Sequence, residues 1–303
     1  MISMRALMRS TAVALIAAPL ALVQLAAIAL GSKNYDTIPK LAGKLLTRAS
    51  GIKVEIDGAE HLNSNKSENP RIFVANHVSS MDIILAQSLS GGAFIAKGEI
   101  SKWPVIGKLA QAMGTIFVER GKGKEGIPLV HKAVAETLNK RRNVIVFPEG
   151  TTTRGDKVLP FKSGVLSVLF NNTSGEALRE NVKVQPLAIR LTHVNGKNVD
   201  RHPDLRKVFA WGEEKSSFFQ SLASIFEAES MKIQIKVLPE MDPKDYRNFK
   251  EFTKAAENAV RRGLEAPIQD DDDEFRGFQG DRSGSERSPC LPIDTNTGNI
   301  VIA

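Results

Sequence analysis

The apolar positions of this chain follow three different rhythms. Thr11 to Leu30 read TAVALIAAPLALVQLAAIAL without a charge, and about 20 such residues, wound as a helix, cover a hydrocarbon core of roughly 30 Å. Arg5 and Arg9 ahead of the run and Ala27-Ile28-Ala29 near its end also fit a cleavable secretory signal. The run exceeds the usual signal core, so a retained membrane anchor over residues 1–32 is the first expectation. From Ile38 to Ile52 the spacing becomes helical: Ile38, Leu41, Leu45, Leu46 and Ile52 recur on one face, and Lys40, Lys44 and Arg48 form an i, i+4, i+8 row on another. Such a segment either lies flat on anionic lipid or covers a protein core as an ordinary amphipathic helix. Pro39 suits a helix start in both cases.

Beyond Gly51 the rhythm shortens. The β-type runs IKVEI, RIFVAN, AFIAK, TIFVER, NVIVFPEG, VKVQPLAIRL and KIQIKVLPE alternate with helical stretches such as Ile83 to Leu89 and Leu129 to Arg141. Alternation of this kind predicts an α/β fold, a single domain with a largely parallel central sheet flanked by helices. The domain is expected over 33–265, the amphipathic N-terminal segment included. Functional groups in such sheets gather where strands give way to loops. His77, Lys97, Arg120 and Glu149 all stand at strand ends.

Composition and charge adjust this outline. Of 303 residues, 42% are apolar, enough for one sizeable core. The formal net charge is +7, although the segment after residue 266, with its acidic run Asp270 to Glu274, is net negative by about five charges. That segment, 266–303, has too few apolar residues to offset ordering entropy and is expected to be a disordered acidic tail, the final NIVIA being a possible short strand. The lone cysteine, Cys290, lies within it, so an intrachain disulfide is excluded and a reducing location fits. Lys33, Lys40, Lys44 and Arg48 outnumber the two arginines before the apolar run, which places the main body on the cytoplasmic face of a membrane.

Two segments carry chemistry. In RIFVANHVSSMD the strand stops at Asn76-His77 and a helical pattern starts near Ser79, so His77 sits on a tight strand-to-helix connection. Histidine takes a proton from a hydroxyl near neutral pH once a second group fixes its tautomer, and Asp82 can be that group. Ser79-x-x-Asp82 equally fits a helix-capping pattern. In RRNVIVFPEGTTTRG, Pro148 and Gly150 bracket Glu149, which is expected to project at the sheet edge and accept hydrogen bonds from substrate hydroxyls.

Together, NHVSSMD and, about seventy residues later, VFPEGTTTRG resemble the glycerolipid acyltransferase family typified by 1-acylglycerol-3-phosphate acyltransferase, whose signatures are NHxxxxD and FPEGT. GTIFVERG is similar to a third block, in which an arginine, here Arg120, contacts the acceptor phosphate, and VQPLAI with Pro186 is similar to a fourth. Lys97 in AKGEI and the following WPVIG fit the segment between the first two blocks. The resemblance implies that His77 is the general base, that Asp82 orients it, and that a lysolipid hydroxyl attacks a fatty-acyl thioester directly. Glu149 would hold acceptor hydroxyls, Gly150 and Thr151 would supply hydrogen-bond donors, and Arg120 with Lys97 would bind an anionic head group. Many phosphatidic-acid-forming members carry an arginine directly after FPEGT, whereas this chain has Thr152, with Arg154 two residues later. The resemblance implies 1-acyl-sn-glycerol-3-phosphate as the acceptor, with Arg154 reaching the phosphate in place of that arginine, or alternatively lyso-ornithine lipid, which FPEGTTTRGDKVLPFKSG also fits.

No cofactor is implied; the donor, acyl-CoA or acyl carrier protein, is a substrate, and membrane lipid is the other partner. A G-x-S-x-G elbow is missing from the sequence, and His61, His77, His131, His193 and His202 are too scattered to predict a metal site. Gly121 to Gly126 lacks the G-K-[ST] ending of a P-loop. Nucleic acid has only net charge in its favour. A non-enzymatic membrane-binding protein would account for the anchor and the basic segment, and leaves the histidine-aspartate pair without a purpose.

Overall fold

The computed structural model describes residues 3–32, 36–63, 69–119, 126–171, 175–211, 217–265 and 300–302. In chain order the helices are α1 (Met4–Ala29), α2 (Thr37–Ala49), α3 (Glu60–Asn63), α4 (Met81–Ser90), α5 (Ile106–Ala112), α6 (Ile127–Asn139), α7 (Gly175–Asn181), α8 (Phe218–Glu227) and α9 (Phe249–Leu264). The strands are β1 (Ile52–Asp57), β2 (Arg71–Ala75), β3 (Ala93–Lys97), β4 (Ile116–Val118), β5 (Val144–Val146), β6 (Lys183–Val194), β7 (Lys197–Asn198), β8 (Met231–Val237) and β9 (Ile300–Ile302).

The strands form one sheet in the order β4-β3-β5-β2-β6-β8-β1-β9, with β7 paired to β6. From β4 to β6 every pairing is parallel, as is β8 to β1, whereas β6 meets β8 antiparallel. The α/β fold with a mostly parallel sheet follows the expectation from alternating strands and helices. Strands β2 to β6 divide their side chains between two cores, as a two-residue repeat requires, whereas β1 and β8 give their apolar side chains to one. Phe73, Ala75, Ile145, Leu187 and Ile189 join one cluster, which also takes in residues of α4 and α8. Ile72, Val74, Val144, Val146 and Val184 join the other, with residues of α6 and α9. A strand buried on both faces cannot alternate apolar with polar, and RIFVA is buried at all five positions.

The apolar residues of α2 do not share one face as the periodicity grouped them. Leu41 and Leu45 are exposed beside Lys40, Lys44 and Arg48, whereas Leu46 is buried. The buried face is instead made by Pro39, Ala42, Gly43, Leu46 and Thr47. Small residues win there because α2 lies very close to α4: a Cβ on Gly43 would come within 2.6 Å of the Ser88 amide nitrogen. The helix ends at Ala49, and Ile52 already belongs to β1. Helix α1 is long and apolar enough to cross a membrane, and it packs against α2, α5 and α8. Arg9 donates to the carbonyls of Phe226 and Ala228 at the end of α8. Of the expected tail, residues 266–299 and 303 lie outside the described residues, while Ile300–Ile302 pairs antiparallel with β1 at the sheet edge.

Candidate active site

Strands β2 and β5 lie side by side in parallel register, Ile72 opposite Val144 and Val74 opposite Val146. Both end at the same edge, and the register carries into the loops beyond: His77 and Glu149, each three residues past that last pair, come together. The His77 backbone N–H donates to Glu149 Oε1 at 2.7 Å. Asn76 closes the end of β2 on its other side. Its side-chain amide donates to the Ile189 carbonyl at 2.9 Å and its oxygen accepts from the Ile189 N–H at 2.8 Å, so one side chain imitates a strand pairing to β6. Sequence reasoning had assigned Asn76 no role.

The chain turns after His77 and starts α4. Asp82, in the first turn and fully buried, folds its carboxylate back so that Oδ2 accepts from His77 Nδ1 at 2.9 Å, from the Val78 N–H at 2.6 Å and from the Ser79 N–H at 2.7 Å. Capping and orientation, posed above as alternatives, are thus performed by one oxygen atom. A carboxylate accepting at Nδ1 selects the tautomer with its proton there and leaves Nε2 with a lone pair. The ring lies on Phe147, with centroids 4.3 Å apart and planes 20° from parallel. Its side chain remains 15% exposed, enough for a reactant to reach an edge. Phe147, the first residue of FPEG, therefore bears on the histidine directly, although only its place in the motif hinted at this.

Glu149 corrects the expectation of a projecting carboxylate. It is 2% exposed, and its second oxygen accepts from the Leu159 N–H at 2.8 Å. Both oxygens are engaged by backbone donors, and the side chain points into the protein, where burial raises its pKa against the pull of those hydrogen bonds and of His77. The loop after it grips His77 a second time: the Thr153 N–H donates to the His77 carbonyl at 2.9 Å. The residue bearing the imidazole is thus held at its N–H and at its C=O by residues more than seventy positions away.

The remaining expected site residues fall around this centre. Gly150 has φ of +71°, a region L side chains avoid, and a Cβ there would lie 2.7 Å from Lys162 Nζ. Lys162, which had not been singled out, thus brings an exposed ammonium group to the FPEG turn; its place in PFKSG, just past the second motif, was the available signal. Thr151 is exposed beyond Gly150 and Arg154 is half-buried in the same loop. The Thr152 hydroxyl donates to the Trp211 carbonyl. Lys97 stands exposed at the end of β3, which β5 separates from β2. Arg120 lies outside the described residues. Arg206 fixes the loop from behind, donating to the Gly155 carbonyl at 2.9 Å.

An imidazole oriented through Nδ1 at the strand ends, with the Lys162 ammonium at the neighbouring FPEG turn, is equipped to deprotonate a hydroxyl and hold an anionic group. Comparison with known proteins agrees with that chemistry. Residues 53–190 match the protein family described as Acyltransferase. The lyso-ornithine lipid O-acyltransferase of Pseudomonas aeruginosa is 34% identical over 203 residues, 66% of this chain and 71% of that protein. The 1-acyl-sn-glycerol-3-phosphate acyltransferase of Neisseria gonorrhoeae is 35% identical over 170 residues, 56% of this chain and 61% of the relative. In fold, the chain is similar to the crystal structure of the 1-acyl-sn-glycerophosphate acyltransferase PlsC from Thermotoga maritima, with a TM-score of 0.60 and 22% identity over 88% of this chain and 98% of that one.

Proposed function

The chain belongs to the acyltransferase family, and from that premise we propose that it transfers a fatty-acyl group from a thioester to the hydroxyl of a lysolipid, with His77 as general base. The observation that carries this reading is the 2.9 Å bond from His77 Nδ1 to the buried Asp82 carboxylate. Nε2 removes the proton from the acceptor hydroxyl as its oxygen attacks the thioester carbonyl. Asp82 stabilises the imidazolium that forms. Collapse of the tetrahedral species breaks the carbon–sulfur bond, and the departing thiolate of coenzyme A or acyl carrier protein takes the proton back from Nε2. Glu149 serves here as a positioning residue for His77.

For the acceptor, lyso-ornithine lipid is the first reading and 1-acyl-sn-glycerol-3-phosphate the second, which reverses the order expected from sequence. The residue directly after FPEGT is Thr152, whose hydroxyl is turned to the Trp211 carbonyl and offers no cation to a phosphate. The Pseudomonas relative, named for lyso-ornithine lipid, also aligns over a larger share of its length than the Neisseria one. The second reading draws on Lys162 beside Gly150 and on Arg154, with Arg120 and Lys97 as further head-group cations. Purified protein offered both acceptors side by side with an acyl thioester tests the proposal. Acylation of lyso-ornithine lipid at the higher kcat/KM supports the first reading, preference for the glycerol phosphate supports the second, and acylation of neither overturns the function.

Attachment to the membrane fits the same reading. Helix α1 and the exposed Leu41, Leu45 and Lys-Arg row of α2 offer apolar and cationic surface to anionic lipid. The excess of cations after α1 supports a catalytic domain on the cytoplasmic face.

A further inference from the structure

The segment Trp103-Pro104-Val105-Ile106-Gly107 takes no part in the reaction described above. It joins a 3-10 turn, Gly98–Lys102, to α5. The joint is tight: the Ile106 N–H donates to the Pro104 carbonyl at 2.8 Å and the Gly107 N–H to the Trp103 carbonyl at 2.9 Å. Gly107 permits it, since a Cβ there would lie 2.4 Å from the Ser101 carbonyl oxygen. Val105 pays for the turn with φ of +65°, a conformation that β-branched residues avoid. Its side chain nevertheless points outward, 70% exposed. A strained backbone that presents an isopropyl group to bulk water gains nothing from the strain.

The neighbouring surface has the same character. The Trp103 ring lies 5.5 Å from Phe218 and 6.4 Å from Phe219, and Phe218 lies 5.7 Å from Trp211. Phe219 is 64% exposed. Both tryptophans of the chain therefore belong to one aromatic knuckle, with the exposed Lys102 and Lys108 flanking it in sequence. Helix α1 packs against both α5 and α8, the helices that adjoin it.

We propose that this knuckle is a second membrane contact, seated at the head-group boundary of an anionic bilayer beside α1. The proposal rests on the reading of the protein as a membrane-attached lysolipid acyltransferase. Tryptophan and phenylalanine rings flanked by exposed lysines match the amphipathic interface of a bilayer, where apolar bodies bury and cationic tips reach lipid phosphates. The knuckle is also tied to the site. The Trp211 N–H donates to the Val78 carbonyl at 2.9 Å, one residue past His77, and the Trp211 carbonyl accepts from Thr152. Seating the knuckle sets the height of the active-site opening at the lipid surface, so an acceptor reaches His77 without leaving the bilayer completely.

Because the chain has two tryptophans, W211F leaves Trp103 as the sole indole and W103F leaves Trp211. Each full-length variant is bound to phosphatidylglycerol–phosphatidylcholine vesicles carrying lipids brominated at graded depths, with flotation to verify binding. Trp103 emission is expected to shift to shorter wavelength and to be quenched most by the shallow bromines, and Trp211 to be quenched less. Floating protein whose Trp103 stays as accessible to aqueous acrylamide as without vesicles overturns this proposal and leaves membrane attachment through α1 standing. Protein that does not float overturns both, while its acyl transfer in detergent still reports on the proposed function. The double variant V105D/F219D is expected to float, to keep its turnover on micellar lysolipid, and to lose about tenfold on vesicle-borne lysolipid, a factor matching the partial burial of two apolar side chains at the head-group boundary. Equal loss in both presentations, or a change in oligomeric state in detergent instead, assigns the knuckle to the fold or to a second copy and refutes the bilayer contact.

Discussion

Replacing Glu149 by Gln separates two roles for that side chain. The carboxylate accepts from the His77 N–H at 2.7 Å and from the Leu159 N–H at 2.8 Å; a Gln amide has one oxygen, so one N–H is left facing an NH2 group. A charge-assisted bond of this kind is worth about 1.5–3 kcal/mol. If that energy holds the imidazole in its reactive pose, its loss lowers kcat by about 10- to 150-fold. Stability responds differently, because burial raises the Glu149 pKa and the ionised form is therefore a cost to the fold that Gln removes. The two effects oppose, and Tm should move by no more than about 4 °C, the shift expected for roughly 1 kcal/mol. Steady-state kinetics in micelles, with the lysolipid varied, should show the fall in kcat with acceptor KM within about twofold. A raised acceptor KM at unchanged kcat would refute the reasoning and restore the substrate-binding role expected from sequence. A Tm lowered by much more than that estimate would make Glu149 chiefly a structural clamp.

His77→Ala should lower acyl transfer by about 10³-fold or more while melting and vesicle flotation stay near wild type; near-normal turnover would remove the general base. Asp82→Asn can keep its three donors on the amide oxygen, but it loses the charge and buries an NH2 where Oδ1 has no hydrogen-bond partner among the described residues. Turnover should fall about 10²-fold and stability by about 1–3 kcal/mol, and a melting change alone would reduce Asp82 to a helix cap. With the folded-state pKa of Glu149 above its ordinary 4.5, the stability it contributes is present below that value and is lost as pH rises through the raised one. The Tm of Glu149→Gln minus that of wild type should therefore climb with pH across this window and then level, and a flat or falling difference would contradict the burial argument. Gly43→Leu should force α2 from α4, against a Ser88 nitrogen 2.6 Å from the Cβ position, and lower Tm by several degrees; an unchanged melt would mean that the helices have room to separate.

Where expectation and structure part, the cause is direction. Both β-type runs carrying the motifs are strands, and His77 and Asp82 meet, because a histidine and an aspartate five residues apart across a strand-to-helix turn have few ways to miss each other. Glu149 was expected to face substrate and faces inward, because the Leu159 and His77 amides, not the local sequence, supply its partners. Periodicity alone grouped Leu41 and Leu45 with Leu46 on one face and left open whether lipid or a core would cover it. Close approach of α4 favoured Ala42 and Gly43 on the core side, leaving Leu41 and Leu45 outside.

By itself the sequence determined the alternation of strands and helices, the apolar N-terminal helix and the residue types of the reaction, since these depend on local spacing and on chemistry a short segment contains. The tertiary structure alone decided that β2 and β5 are neighbours in a register that sets His77 against Glu149, that Asn76 completes β2 by bonding to β6, and that Trp103 and Trp211 share one aromatic knuckle. Those arrangements join residues far apart in the chain, and no local pattern fixes an offset between strands. It is settled by the packing of two cores on opposite faces of one sheet.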